Sequence, residues 1–147
     1  MDFRLFLALA DSLSQGTSEA EWRTAVSRAY YAAFHLASER LEAMGFRVPR
    51  RTEQSHIFVS RRLSNSAELA VDRTGGQLNA LRGDRNRADY DKNVKVSAKD
   101  ARDAVIDARA IIAILDQLGR DSNLAEQIAD AIKKYERDVL KEVTWRK

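Results

Sequence analysis

The sequence predicts an all-α protein, an up-and-down bundle of four to six helices. Of its 147 residues, 22 are Ala and 14 are Leu, whereas there are only six Gly and one Pro. A sheet protein needs more turn residues and more β-branched side chains than this. Apolar residues also recur at helical spacing in long segments joined by short connections, which favours antiparallel neighbouring helices.

The composition also limits the function. A chain of this length is the size of one domain, so we expect residues 1–147 to form a single domain. With no Cys and two His, disulfides, thiolate metal sites and cysteine nucleophiles are excluded, and we expect neither a metal site nor a cofactor. No run approaches about 18 apolar residues, and the first residues lack the features of a signal peptide. We therefore expect a cytoplasmic protein that does not bind membranes.

The first two helices have clear boundary signals. Apolar spacing predicts a helix over residues 2–14. Ser18, followed three residues later by Glu21, has the pattern of a capping box and opens a long helix predicted over 19–44. Gly45 stands where a C-terminal cap belongs.

The middle of the chain is predicted as a short helix, a loop and a fourth helix. The short helix covers about residues 53–64. Residues 65–76 have turn composition and end in Gly75-Gly76, so we expect a loop there. The fourth helix is predicted over 77–91.

The last two helices carry regular apolar stripes. Ser97 and Asp100 form a second capping pattern, which opens a helix over 98–118 that Gly119 is expected to end. The sixth helix is predicted over 123–143 from apolar residues at helical spacing: Leu124, Ile128, Ile132, Tyr135, Val139 and Val143.

Positive charge is concentrated in the middle of the chain. Residues 47–87 contain nine Arg, no Lys and four acidic residues, although the whole chain carries only +3. Arginine makes planar, bidentate contacts with phosphate and carboxylate groups. The alternative is a solvated surface in which Arg is favoured for its helix propensity.

The fourth helix combines charged and apolar residues on one broad face, namely Leu78, Leu81, Arg82, Arg85, Ala88 and Asp89. Leucine and alanine indicate packing, and a buried guanidinium must then be paired. One interpretation is an Arg–Asp network that fixes helix packing. The other is a phosphodiester site, with Asn86 and Tyr90 as hydrogen-bonding neighbours. In that case Arg82, Arg87 and Asp89 would assist binding.

The second helix supplies further candidates. Tyr31 and His35 are four residues apart and therefore share a helix face. They are candidates for RNA or phosphate binding. Aromatic residues at this spacing are also typical of a helix core, and this alternative stays open.

Two motifs together resemble those of the HEPN superfamily. The first is S-R-A-Y-Y-A-A-F-H-L-A-S-E over residues 27–39, and the second is L-R-G-D-R-N-R-A-D-Y-D over 81–91. The second contains R-x-x-A-D-Y, which marks a small prokaryotic branch of that superfamily. The resemblance covers about residues 20–118, with an additional helix at each end of the chain.

The resemblance implies a helical bundle that forms a homodimer. In nuclease members of that superfamily, four to six residues separate an Arg from a His, and the residue directly after the Arg is polar. These members cleave RNA without metal, at a site where the two motifs meet across the dimer. The resemblance implies that Arg85 binds the scissile phosphate and that Asn86 holds the geometry of the site. Tyr90 occupies the histidine position. A tyrosine hydroxyl, with a pKa near 10, is a poor general base at neutral pH.

Three functions therefore compete. The first is a ribonuclease of toxin–antitoxin or defence type. The second is a non-catalytic module that binds nucleotide, RNA or a partner protein, which Tyr90 in place of His favours. The third is a purely structural helical dimer. The resemblance also suggests a cognate antitoxin or a nucleotidyltransferase as partner.

Overall fold

The computed structural model describes residues 1–50 and 52–142, which contain six α-helices and no strand. The prediction of an all-α bundle of four to six helices is confirmed. The helices are α1 (Arg4–Ser14), α2 (Glu19–Ala43), α3 (Glu53–Ser64), α4 (Leu69–Tyr90), α5 (Ala98–Arg120) and α6 (Ser122–Tyr135). A short π-helical segment, Glu136–Leu140, follows α6. Within the described ranges, no helix is both long and apolar enough to span a bilayer.

The predicted helix starts of α2 and α5 are confirmed by their hydrogen bonds. The Glu21 amide donates to Ser18 Oγ at 3.2 Å, and the Ser18 amide donates to Glu21 Oε1 at 3.2 Å. The amide of Asp100 donates to Ser97 Oγ at 3.1 Å, and the Ser97 amide donates to Asp100 Oδ2 at 2.9 Å. Each box satisfies two backbone donors that the helix leaves unpaired. Gly45, after α2, has φ +94°, a conformation that glycine adopts readily.

The start of α4 corrects the predicted loop. The helix begins at Leu69 rather than near residue 77, and Gly75 and Gly76 lie inside it. A Cβ at Gly75 would lie 2.6 Å from the Ser64 amide nitrogen and 2.7 Å from the Ser60 carbonyl oxygen. Gly75 therefore allows α4 to approach α3 closely. In the sequence alone, a glycine with this role cannot be distinguished from a glycine in a turn.

The ends of α5 and α6 also differ from the prediction. Gly119 lies within α5, where a Cβ would sit 2.9 Å from Arg40 Nη1. The glycine thus makes room for Arg40 instead of ending the helix. The sixth helix ends at Tyr135 because the chain widens into the π-helical segment. Val143, predicted in this helix, lies outside the described residues.

The described residues form two compact units, one of residues 1–36 and 77–112 and the other of residues 37–50, 52–76 and 113–142. Helices α2, α4 and α5 contribute residues to both units. The core of the first unit is rich in small side chains, including Ala25, Ala29, Ala32, Ala33, Ala101, Ala104 and Ala108. The core of the second unit contains larger ones, including Leu41, Val59, Leu63, Leu115, Ile128 and Ile132. The assignment of the whole chain to one domain stays a prediction.

Candidate functional site

The side chain of Arg85 lies in the first unit, near the C-terminal end of α4, and the residue is only 5% exposed. Its Cζ atom is 5.3 Å from the ring centre of Tyr31, 5.5 Å from that of Tyr30 and 5.8 Å from that of Tyr90. These distances are those of cation–π contacts. The guanidinium is therefore held mainly by aromatic rings, in surroundings where electrostatic interactions are stronger than in water.

Asp89 is the acidic partner of Arg85, but the contact is loose. Asp89 Oδ2 lies 3.8 Å from Arg85 Nη1, which is too far for a hydrogen bond. The same oxygen accepts a hydrogen bond of 3.1 Å from the buried hydroxyl of Ser27. Arg85 Nε is buried and has no hydrogen-bond partner among the described residues. At least one of the five N–H donors of this guanidinium is therefore unused within the described part of the chain.

His35 and Tyr31 form an aromatic stack beside this arginine, as their spacing in the sequence suggested. The His35 ring lies 4.0 Å from the ring of Phe3 and 5.9 Å from that of Tyr31. Arg28 contacts the rings of both Phe6 and Tyr31, at 4.9 and 5.2 Å. Burial, together with the nearby charge of Arg28, lowers the pKa of His35 below its ordinary value. The neutral imidazole is thereby favoured.

The remaining residues predicted for the site occupy two different places on α4. Asn86 and Tyr90 are both exposed, and Tyr90 is 77% exposed. They are four residues apart, so they share a face. Arg82 is half-buried one turn before Arg85. Arg87 instead pairs with Asp84. The structure thus groups Arg85 with Asp89, Tyr31 and Tyr90, and it places Arg87 apart from them.

Arg87 and Asp84 line a cavity of about 360 Å³ together with acidic residues of α5: Asp100, Asp103 and Asp107. Burial raises the pKa of Asp84 and that of Asp107, and the mutual repulsion of neighbouring carboxylates adds to the effect. In the part of the chain that the structure describes, no three His, Cys, Asp or Glu side chains are placed to hold a metal ion.

Sequence reasoning missed Arg23, which fixes the end of α4. Arg23 Nη1 donates to the carbonyl oxygens of Ala88 and Asp91, each at 3.0 Å, and Nη2 donates to the Val94 carbonyl. The last carbonyl groups of a helix have no partner within it, and a cation there also interacts favourably with the helix dipole. Arg23 lies more than sixty residues away in sequence, so no local pattern could have revealed this contact.

The fold and this cluster define an all-α bundle with an aromatic-lined, nearly buried arginine on its fourth helix. The family model described as the HEPN domain matches residues 7–118. Because this is more than half of the chain, the protein belongs to the HEPN family. No curated protein and no solved structure matches the chain. The family inferred from the two motifs is confirmed, whereas the individual site residues stay predictions.

Proposed function

We propose that this protein is a metal-independent HEPN ribonuclease whose active site combines two copies of the α4 motif across a homodimer. The observation that supports this proposal is the burial of the Arg85 side chain together with its incomplete hydrogen bonding. The guanidinium is nearly buried, Nε has no hydrogen-bond partner among the described residues, and the carboxylate of Asp89 is 3.8 Å from Nη1. A phosphate oxygen is an acceptor that fits these donors, because arginine binds phosphate through paired N–H groups.

The reaction that suits such a site uses the ribose of the substrate. The 2′-oxygen attacks the adjacent phosphorus while the bond from phosphorus to the 5′-oxygen breaks. The 2′-hydroxyl proton goes to water, and the departing oxygen receives a proton, leaving a cyclic phosphate and a 5′-hydroxyl end. Arg85 stabilises the negative charge that develops on the phosphate oxygens. DNA is not a substrate, because it lacks the 2′-hydroxyl.

Tyr90 and Asn86 complete the proposed site. Tyr90 donates the proton or hydrogen bond to the departing 5′-oxygen, and its 77% exposure lets solvent restore the proton. Asn86, directly after Arg85, holds the scissile phosphate in place. Asp89 keeps the guanidinium oriented, with its own carboxylate fixed by Ser27.

The test is cleavage of a 5′-labelled single-stranded RNA in excess chelator. Arg85→Ala should lower kcat about 10²–10³-fold, the usual cost of losing one group that stabilises developing charge. Tyr90→Phe should lower kcat with little change in KM. Tyr90→His should retain or raise activity and move the pH optimum toward the range in which imidazole titrates. Arg102→Ala, which removes an exposed arginine of α5, is the matched control and should cleave like the wild type.

Three outcomes would overturn this proposal. Cleavage that disappears in chelator would indicate a metal-dependent reaction. A protein that stays monomeric in light scattering at high micromolar concentration would exclude a composite site. If Arg85→Ala unfolds the protein, as judged by circular dichroism, Arg85 is a packing residue paired with Asp89.

A second candidate function is a non-catalytic module that binds RNA or nucleotide. It is favoured by the hydroxyl of Tyr90 in place of an imidazole. This function would replace the first if the wild type binds RNA without cleaving it and Tyr90→His does not create cleavage.

A further inference from the structure

Tyr90 has an unusual environment for an aromatic side chain of this protein. It is the only aromatic residue in ranges 1–50 and 52–142 whose side chain is mainly exposed, with 77% of its surface accessible. The neighbouring tyrosines differ: Tyr30 is 1% exposed and Tyr31 is half-buried. The contact with Arg85 covers only part of the Tyr90 ring, and a large part of it is accessible to a ligand.

The Tyr90 ring and the Arg85 guanidinium are close enough for one nucleotide to contact both. The Tyr90 ring centre is 5.8 Å from Arg85 Cζ. A phosphate and its base are joined by a single ribose, so a base can lie on this ring while a neighbouring phosphate meets the guanidinium. Asn86 shares the exposed face of α4 with Tyr90, and its amide can hydrogen-bond the edge of a base.

We propose that the ring of Tyr90 is a stacking surface for one unpaired base next to the phosphate that Arg85 binds. This inference rests on the proposed function and adds a second role for Tyr90, in binding a base. Aromatic side chains stack on single-stranded nucleic acid regardless of base identity. A duplex cannot use this surface, because its bases are already stacked and paired.

The binding role is separable from the catalytic role by comparing two substitutions. Tyr90→Phe keeps the ring and removes the hydroxyl, whereas Tyr90→Leu keeps an apolar side chain and removes the ring. The binding probe is a ten-nucleotide single-stranded RNA that contains 2-aminopurine, used with a duplex of the same sequence. The stacking of an aromatic ring on 2-aminopurine quenches its fluorescence.

Tyr90→Phe should bind the single strand within about twofold of the wild type and retain the quenching. Tyr90→Leu should bind it about 5–150-fold more weakly, which corresponds to the 1–3 kcal/mol that one stacked base contributes, and should lose the quenching. Duplex binding should be weaker and the same in all three proteins. Leu69→Ala, which removes an exposed apolar side chain from the other end of α4, should behave like the wild type.

Several results would overturn the proposal. Equal losses of affinity in Tyr90→Phe and Tyr90→Leu would assign the contact to the hydroxyl. Unchanged affinity and quenching in Tyr90→Leu, or a change only in its oligomeric state by light scattering, would assign the ring to a contact between protein chains. Either result, obtained while Arg85→Ala still lowers kcat about 10²–10³-fold, would leave the ribonuclease proposal standing. Absence of any RNA binding by the wild type would instead remove both.

Discussion

Arg85 carries its positive charge in a setting made mainly of rings. A fully buried and unpaired cation costs several kcal/mol, and each cation–π contact returns about 0.5–2 kcal/mol. Three tyrosine rings and a carboxylate at 3.8 Å therefore offset much of this cost. The arrangement stabilises the charge without using all of its hydrogen-bond donors, which is the property that an anion-binding residue requires.

The protonation of His35 can be measured to test the description of the aromatic residues beside Arg85. Because burial and Arg28 lower its pKa, the midpoint of its NMR titration should lie below the ordinary value of about 6.5. The unfolded chain then takes up this proton at a higher pH than the folded protein does. The free energy of unfolding should therefore fall as the pH is lowered from about 7 through 6.5 toward the folded pKa.

The variant His35→Gln should lose this part of the pH dependence in urea unfolding experiments, whereas the matched His56→Gln should keep it. A midpoint for His35 above about 6.5 would contradict the predicted sign.

At the scale of the elements, α4 depends on contacts at both ends. Arg23 binds the carbonyl groups at its C-terminal end, where Tyr90 lies. Near the other end, the absence of a side chain at Gly75 lets α4 approach α3. Both contacts join segments that are separated in sequence, so the helix that carries the proposed site is positioned by tertiary packing as well as by its own propensity.

The two adjacent glycines of α4 should respond oppositely to substitution. Gly75→Ala should lower the free energy of unfolding by about 1–3 kcal/mol, the range for overpacking, because the new Cβ would overlap backbone atoms of Ser64 and Ser60. Gly76→Ala meets no atom within 4 Å and should raise stability by about 0.5–1 kcal/mol, since alanine favours a helix more than glycine does. Urea unfolding of both variants measures the difference. Equal effects would mean that α3 does not approach α4 as closely as described.

For the molecule as a whole, the nine arginines of residues 47–87 contribute to packing as well as to positive surface charge. Arg62 is 1% exposed, and its Nε atom lies 2.9 Å from Oε1 of Glu136, which is also 1% exposed. Arg62 Nη1 also donates to the Arg47 carbonyl at 2.6 Å. This buried pair ties α3 to the π-helical segment. Arg62 is therefore not available to RNA, although its position in the stretch alone suggested a phosphate-binding surface.

Breaking this pair should be costly, and removing both partners should cost less. Arg62→Met leaves the Glu136 carboxylate without its closest cation and should lower the free energy of unfolding by about 3–5 kcal/mol. The double variant with Glu136→Met should recover part of this loss, because no buried carboxylate is left uncompensated. Lys99→Met, at an exposed pair with Asp103, should change stability by less than about 1 kcal/mol. Additive losses in the double variant would contradict a direct interaction between Arg62 and Glu136.

The sequence by itself determined the all-α class, five helix starts to within about two residues, both capping boxes and the HEPN family. These features depend on neighbours within a few residues, and periodicity and capping patterns record such neighbours directly. The same local patterns placed Arg85 and Asp89 on one face of a helix, and Tyr31 and His35 on one face of another.

Only the tertiary structure decided which of these residues meet. The rings of Tyr30 and Tyr31 beside Arg85, the Ser27 hydroxyl on Asp89 and the Arg23 contacts with the end of α4 all join helices that are distant in sequence. A glycine looks the same in the sequence whether it lies in a turn or at a close contact between helices. Gly75 and Gly76 therefore predicted a loop where α4 continues. Arginine likewise has one sequence signal whether it faces solvent, as Arg87 does, or is buried against a carboxylate, as Arg62 is.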